Sequence, residues 1–515
     1  MPQLRLSRRQ VLAGGTAAAS GLFLPAYSRA NQRPALTHGV QSGDVSADGA
    51  VIWARADRPS RMMVEASTTE SFANAIRLPG LGVTSATDNM GKLELAGLPS
   101  DQDVFYRVTM LDLADVNVAS EPVVGRFRTA PGSARDITFT WSGDTAGQGW
   151  GIDESRGGMT IYSTMLKHQP DFFIHSGDTI YADGPLKAEV ELKDGTIWKN
   201  LVTPEKSKVA ETLQEYRGNF LYNLLDHNVR AMAAQVPMLA QWDDHETVNN
   251  WYPNEQLEDD RYTVKSAALL SARANRAFRE VMPMRESTTE PGRIYRKVSY
   301  GPLLDVFFID MRTYRGDNTS NDQMEPGPQT DFLGAAQLRW LKAELAASRA
   351  TWKVIASDMP IGLMVRDGKS AFENGSNGNG PVKGREFDIA EVLSFIKHAK
   401  VKNTVWLTAD VHYTAAHHYS PDRAQFQDFE PFWEFVSGPL HAGTFGPNDY
   451  DDTFGPKAEF VKAPTPEMGQ NLPPSEGYQF FGKVDIEGAT GRMTVRLMDA
   501  ADVELWSTTL DPERA

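Results

Sequence analysis

Carboxylates stand at the ends of six short apolar runs, and their type and spacing point to metal chemistry. Asp144 follows Trp141-Ser142-Gly143, and Asp178 follows Ile174-His175-Ser176-Gly177. Asp243 and Asp244 close the run 238–242, and Asp310, Asp358 and Asp410 close the runs 306–309, 352–357 and 405–409. Gathered at one place, these charges would repel one another. A cation removes the repulsion, and oxygen-rich sites suit hard metals. A phenol and two imidazoles lie close to the same acids: Tyr181 in Gly177-Asp178-Thr179-Ile180-Tyr181, His245 after Asp244, and His412 in Asp410-Val411-His412. Each motif alone is weak. The ordered set carries the reading.

The elements that position these groups follow from the pattern around them. Short apolar runs bounded by polar residues read as buried strands, and in layered α/β proteins the strand ends along one sheet edge form the site. Between the runs the spacing predicts helices over 158–168, 211–234, 266–281 and 387–399. Another is capped by Thr330-Asp331 and buries Leu338, Leu341 and Leu345. Residues 368–384, rich in Gly and Asn, read as a mobile loop. The tail closes as a β-meander over 479–487, 493–498 and 503–510. Residues 35–130 hold short alternating strands separated by Gly, Asp and Ser, the pattern of an immunoglobulin- or fibronectin-like sandwich. Pro131-Gly132-Ser133 reads as a linker. The expected organisation is therefore a leader (1–30), a β-sandwich domain (31–132) and an α/β catalytic domain (133–515).

The leader reads as an export signal. Arg5, Arg8 and Arg9 precede a small and apolar stretch at 11–24, and Ser28-Arg29-Ala30 offers a cleavage site. Ser7-Arg8-Arg9-Gln10-Val11-Leu12 resembles the twin-arginine signal, whose translocase carries folded proteins. The expected destination is periplasmic or secreted, with no permanent membrane anchor. The chain has no cysteine, hence no disulfide and no thiolate ligand. Its 515 residues suffice for a core without cross-links. A net charge of −15 disfavours nucleic acid as a stable partner.

The order Asp, Gly-Asp-x-x-Tyr, x-Asp-His-Glu, Asp-x-Pro, Asp-x-His is similar to that of the dinuclear metallophosphoesterases, purple acid phosphatases in particular. Trp242-Asp243-Asp244-His245-Glu246, with Tyr216-Arg217 before it and Asp410-Val411-His412 after it, resembles the PhoD family of alkaline phosphatases and phosphodiesterases more specifically. The likeness runs from about residue 39 to residue 438. It implies a four-layer αββα catalytic domain behind the sandwich. It also implies two metal positions, one of Asp144, Asp178, Tyr181 and His412, and one of Asp178, Asp244, Asp358 and Asp410. The family's metals are Fe(III) and Ca(II). An all-oxygen second set agrees with calcium. The family usually places a cysteine where Ser142-Gly143-Asp144 stands here, so Mn or Zn remain open for the first metal.

The activity expected from this resemblance is in-line hydrolysis of a phosphate ester by metal-activated hydroxide. His245 would serve the leaving oxygen, and Arg312 would bind phosphate or pair with Asp310. His417 and His418 read as strand or cleft residues, and His175 as packing behind Asp178. Two other readings stay open: a phospholipase D-type phosphodiesterase acting on lipids or wall polymers, and a non-catalytic extracytoplasmic binding protein. Residues 187–208 and 368–384 would decide between substrates.

Overall fold

The computed structural model describes residues 33–513, so the leader reading at 1–30 lies outside the described residues. Two large sheets face each other. The first has nine strands, and its centre is parallel: Ile137–Ser142, Phe172–Ser176 and Met238–Gln241 lie side by side. The second has seven, with Leu304–Phe308, Trp352–Ala356, Thr404–Thr408 and Phe432–Val436 parallel.

Period-two alternation explains the layering. Phe172 and Ile174 point into the core between the sheets, together with Val354, Ala356, Val405 and Leu407. Phe173 points the other way, onto Ile161, Phe220 and Phe278 of one helical layer. Ile355 and Trp406 do the same on the second sheet, against Leu338, Leu341 and Leu393. Both faces of each central strand are thus buried, which is why the runs read as continuous apolar sequence. The result is a four-layer αββα arrangement.

The helices start where side chains cap them. Thr212 and Glu215 form a capping box on Leu213–Asn223, and Ser266 caps Ala267–Val281. The single helix expected over 211–234 is two. Asp226 accepts from the Asn228 and Val229 amides and begins a second helix, His227–Ala233. Thr330 does not cap the helix Gly334–Ala347; it bonds Gly327 in a preceding turn. Asp388 instead takes the Phe332 and Leu333 amides at 2.8 Å each.

The β-rich N-terminal region has two sheets. Ser60–Ser67, Asp103–Asp112 and Val123–Arg128 belong to a five-stranded one. Leu36–Gly43, Ala50–Ala56 and Met90–Leu95 belong to the nine-stranded sheet, which they join through Gly43 beside Met238. One face of the N-terminal region is therefore continuous with the sheet that carries Asp144 and Asp178. The tail pairs on the other side, as Phe480–Ile486, Met493–Asp499 and Glu504–Leu510. No helix among the described residues is long and apolar enough to cross a membrane.

Candidate metal centre

Parallel strands end together, so both sheets deliver their acids to one edge. Asp144, Asp178 and Asp244 follow strands of the first sheet, and Asp358, Asp410 and His412 follow strands of the second. Four of them leave the strand through the left-handed region: Asp144 (φ 65°), Asp178 (φ 49°), Asp410 (φ 67°) and His412 (φ 59°). That conformation is sparsely populated for residues with a side chain and is concentrated at functional sites. It turns each side chain off the strand and into the space between the sheets.

Three sets of side chains could each surround an ion. Ligand atoms of Asp144, Asp178 and His412 lie within 4.8 Å of one another, as do those of Asp178, Asp244 and His245, and those of Asp243, Asp244 and Asp410. Asp178 belongs to two sets, the geometry a bridging carboxylate needs. His412 donates Nδ1–H to the Gly443 carbonyl. Its Nε2 is thereby left as a lone-pair donor, 3.5 Å from Asp144 Oδ1 and 2.8 Å from the Tyr181 hydroxyl. Tyr181 is 1% exposed, and through this contact its hydroxyl lies against the first set.

The carboxylates are poorly satisfied by protein alone. Both oxygens of Asp144 are buried without a hydrogen-bond partner, and so are both of Asp358 and Oδ2 of Asp243. An unpaired buried carboxylate is costly unless a cation compensates it. Burial first, and the Asp243 charge next, push Asp144 well above the usual carboxylate range; burial and then Asp244 do the same to Asp178. Asp410 is raised by burial and then by Glu373. Burial lowers His412 to about 4, keeping the imidazole neutral for coordination. The donor set of carboxylates, one phenol and one imidazole fits hard cations.

Two expected residues lie elsewhere in the cluster. Arg312 is fully buried and does not line the cavity in front of the acids. Its guanidinium touches Asp243 at 2.5 Å, Asp358 at 3.4 Å, Asp410 at 3.5 Å and Asp244 at 3.7 Å, and also bonds Glu373. Arg312 is thus an internal countercharge. Asp358 has no exposed surface, sits against Arg312, and belongs to none of the three sets. Asp310 accepts from the Arg312 amide and from the Trp242 indole.

The cavity in front measures 180 Å³ and is lined by Asp178, Asp244, Asp410, His412 and His245, with Glu373 on one side. His245 Nδ1 lies 2.8 Å from Asp183 Oδ1, and Asp183 Oδ2 accepts the Asn249 amide. Burial opposes the charge on His245, but Asp183 and then Asp244 outweigh it and raise the imidazole to about 10. Tyr181 packs against the ring at 4.2 Å between centroids. Glu246 accepts the Asp178 and Asp243 amides and fixes both turns.

Sequence reasoning missed Asp183, Glu246, Glu373 and Gly438. Glu246 ends the Trp-Asp-Asp-His-Glu run, which was its available signal. Gly438 has none: a Cβ there would lie 2.2 Å from Asp144 Oδ2. His417 is buried against Glu434 at 2.9 Å, and His175 bonds Thr145 at 3.0 Å. The loop expected to be mobile is pinned. Asp451 accepts the Asn377 and Gly378 amides, Asp452 accepts that of Gly380, and Arg385 takes the carbonyls of Phe372, Glu373 and Asn374.

A parallel-centred pair of sheets between helices, with acids collected at one edge, defines the metallophosphoesterase class of fold. The PhoD-like phosphatase model matches residues 139–497, and the model of the PhoD-like phosphatase N-terminal domain matches residues 18–131. The chain belongs to the PhoD-like phosphatase family. It is 28% identical to alkaline phosphatase D of Bacillus subtilis (strain 168) over 442 residues, which is 81% of this chain and 71% of that protein. A solved structure of PhoD superposes with a TM-score of 0.69 at 24% identity, covering 93% of this chain and 90% of the other. The purple acid phosphatase of yellow lupin (Lupinus luteus) seeds shares the fold at 12% identity, with a TM-score of 0.56, over 93% of this chain and 74% of its own.

Proposed function

We propose that this protein is an exported hydrolase of phosphate esters, with both monoesterase and diesterase capacity. The observation that carries the reading is the place of Asp178. It is shared by two ligand sets at the meeting edge of two sheets. Asp144, Asp178, Tyr181 and His412 would hold one cation, and Asp178 and Asp244, joined by Asp410 from the adjoining set, a second, with Asp358 behind them. Iron suits the first set and calcium the second, with manganese or zinc as alternatives at the first. Bound there, the cations supply charge and Lewis acidity for in-line displacement at phosphorus.

The protein's own groups do the rest. Asp183 holds the His245 ring so that Nε2 faces the cavity with a proton to give the leaving oxygen. Arg312 keeps Asp243, Asp358 and Glu373 compact behind the ligands. Among the described residues the cavity wall carries no Lys or Arg; besides His245, substrate oxygens meet the amides of Gln148, Asn249, Asn250 and Asn448 beside Phe445. Neutral donors suit a monoanionic diester, and this supports diesterase capacity. Export through the twin-arginine translocase to a periplasmic or extracellular site follows from Arg8 and Arg9.

The test is hydrolysis of a chromogenic phosphate monoester and diester by purified protein. Turnover of either, abolished in Asp178→Asn, supports the reading. Equal and undiminished rates in the variant contradict it.

A further inference from the structure

A second cavity, larger than the one at the metal centre, lies away from it. It measures 710 Å³ and opens at the other end of the second sheet, where strands Trp352–Ala356 and Thr404–Thr408 begin. Each strand is five residues long, which places this cavity about 17 Å or more from the acids at their far ends. Its wall carries Arg349, Lys353, Lys400 and Lys402 and a single acid, Glu513. In a chain of net charge −15 this is a local reversal of sign.

Lys353 is the telling residue. It lies in a central strand and is 8% exposed, where an apolar side chain is the rule. Its ammonium gives one hydrogen bond, to the Ala350 carbonyl at 2.6 Å, and has two more protons to give. The neighbouring Asp305 carboxylate accepts from the Ser348 hydroxyl at 2.6 Å and stays close enough for its charge to act on Lys353. Lys402 pairs with Glu513 at 2.7 Å, and Asn403 ties the same residue through its backbone. Among the described residues Arg349 and Lys400 have no side-chain hydrogen bond or ion pair. Two helices, Gly334–Ala347 and Glu386–His398, end here. Their dipoles favour cations only within the last turn. Arg349 and Lys400 directly follow the C-cap residues Ser348 and Ala399, whereas Lys402 lies two residues further on and Lys353 comes from a strand.

We propose that this cavity is a second, non-catalytic site for a multiply charged phosphate anion. Its volume is in the range that holds tens of atoms rather than a single ion. One Arg and three Lys on one cavity wall, of which Lys402 is paired with Glu513, offer the recognition chemistry of phosphate oxygens. The anion is either a free oligophosphate or a run of phosphates in a polymer.

Calorimetric titration of tripolyphosphate into the full chain tests this. Wild type should bind in two classes, one at the metal centre. Arg349→Ala/Lys400→Ala should lose the second class, with its rate on a small chromogenic ester unchanged. The same double variant on a polymeric phosphodiester separates the sources. A KM raised tenfold or more assigns the site to a polymer, and an unchanged KM to a free oligophosphate. Both residues are exposed, so the fold survives their replacement. If the double variant binds tripolyphosphate with wild-type stoichiometry and affinity, the proposal is wrong.

Discussion

The Asp183 carboxylate lies 2.8 Å from His245 Nδ1, on the side of the ring away from the cavity. That pair fixes which nitrogen serves chemistry and holds the imidazole in its charged form up to about pH 10.

Asp183→Asn should therefore lower kcat by about ten- to a hundredfold, as loss of a supporting partner does, with a smaller change in KM. The raised value of His245 means that its proton is present below about 10 and lost above it. Without the Asp183 charge that limit falls toward the ordinary 6.5, so the alkaline limb of the rate profile should move to lower pH. An unchanged alkaline limb would mean that His245 does not supply the proton.

Gly438→Ala should weaken metal binding at the first position. The added Cβ would stand 2.2 Å from Asp144 Oδ2, so the carboxylate must turn away. Metal content and turnover of purified variant and wild type check this. Retention of full metal would separate Asp144 from the site.

Arg312→Met should destabilise the chelated protein by about 3–5 kcal/mol, the usual cost of stripping one partner from a buried charge cluster. Added calcium should recover part of the loss in a thermal melt, because a cation replaces the missing countercharge. A variant as stable as wild type in chelator would show that Arg312 does not neutralise these acids.

The chelated wild type should lose stability as pH rises. Burial first raises Glu246 and Glu373 to about 7 from 4.5, and raises Asp144, Asp178, Asp358 and Asp410 as well. The folded state then holds more protons than the unfolded state, so stability falls from pH 4.5 through about 7. Metal should flatten that slope. Melts across the window, with and without calcium, would show it; a chelated protein that gains stability over the same range contradicts the burial argument.

Much of this was legible in the sequence, for identifiable reasons. A strand buried on both faces is written as an unbroken apolar run, so Ile137–Ser142, Phe172–Ser176, Trp352–Ala356 and Thr404–Thr408 were found with their acids. Asp178, Asp244 and His412 stood in motifs tied to those ends. What sequence could not supply was depth and partnership. Nothing near Asp358 says that Arg312 lies against it, because the contact joins two strands of one sheet across a loop. Asp183 sits five residues after Asp178, where no motif marks it, and meets His245 only through the fold. The Gly- and Asn-rich stretch at 368–384 has the composition of a free loop, yet Asp451 and Arg385 fix its backbone from distant segments. The N-terminal strands read as a β-domain of their own, and the family's N-terminal domain model covers them; their continuity with the first sheet was not legible, because the strand pairing between Gly43 and Met238 leaves no trace in either sequence.

The second position proposed, Asp178 and Asp244 with Asp410 from the adjoining set, offers only oxygen when His245 serves as the proton donor instead of a ligand, and such a set favours calcium over zinc. Chelated enzyme should regain activity with calcium. Asp410→His should shift the preference toward zinc or manganese. Restoration of wild type by zinc and not by calcium would remove the all-oxygen assignment.

The buried carboxylates around Asp178 are proposed to hold the metals for phosphate-ester hydrolysis. Metal analysis of purified wild type and Asp178→Asn, paired with their rates on a chromogenic phosphate ester, tests it most directly. Wild type should carry about two ions per chain, with most of that metal and nearly all turnover lost in the variant. Full metal content and a near-normal rate in Asp178→Asn would contradict it.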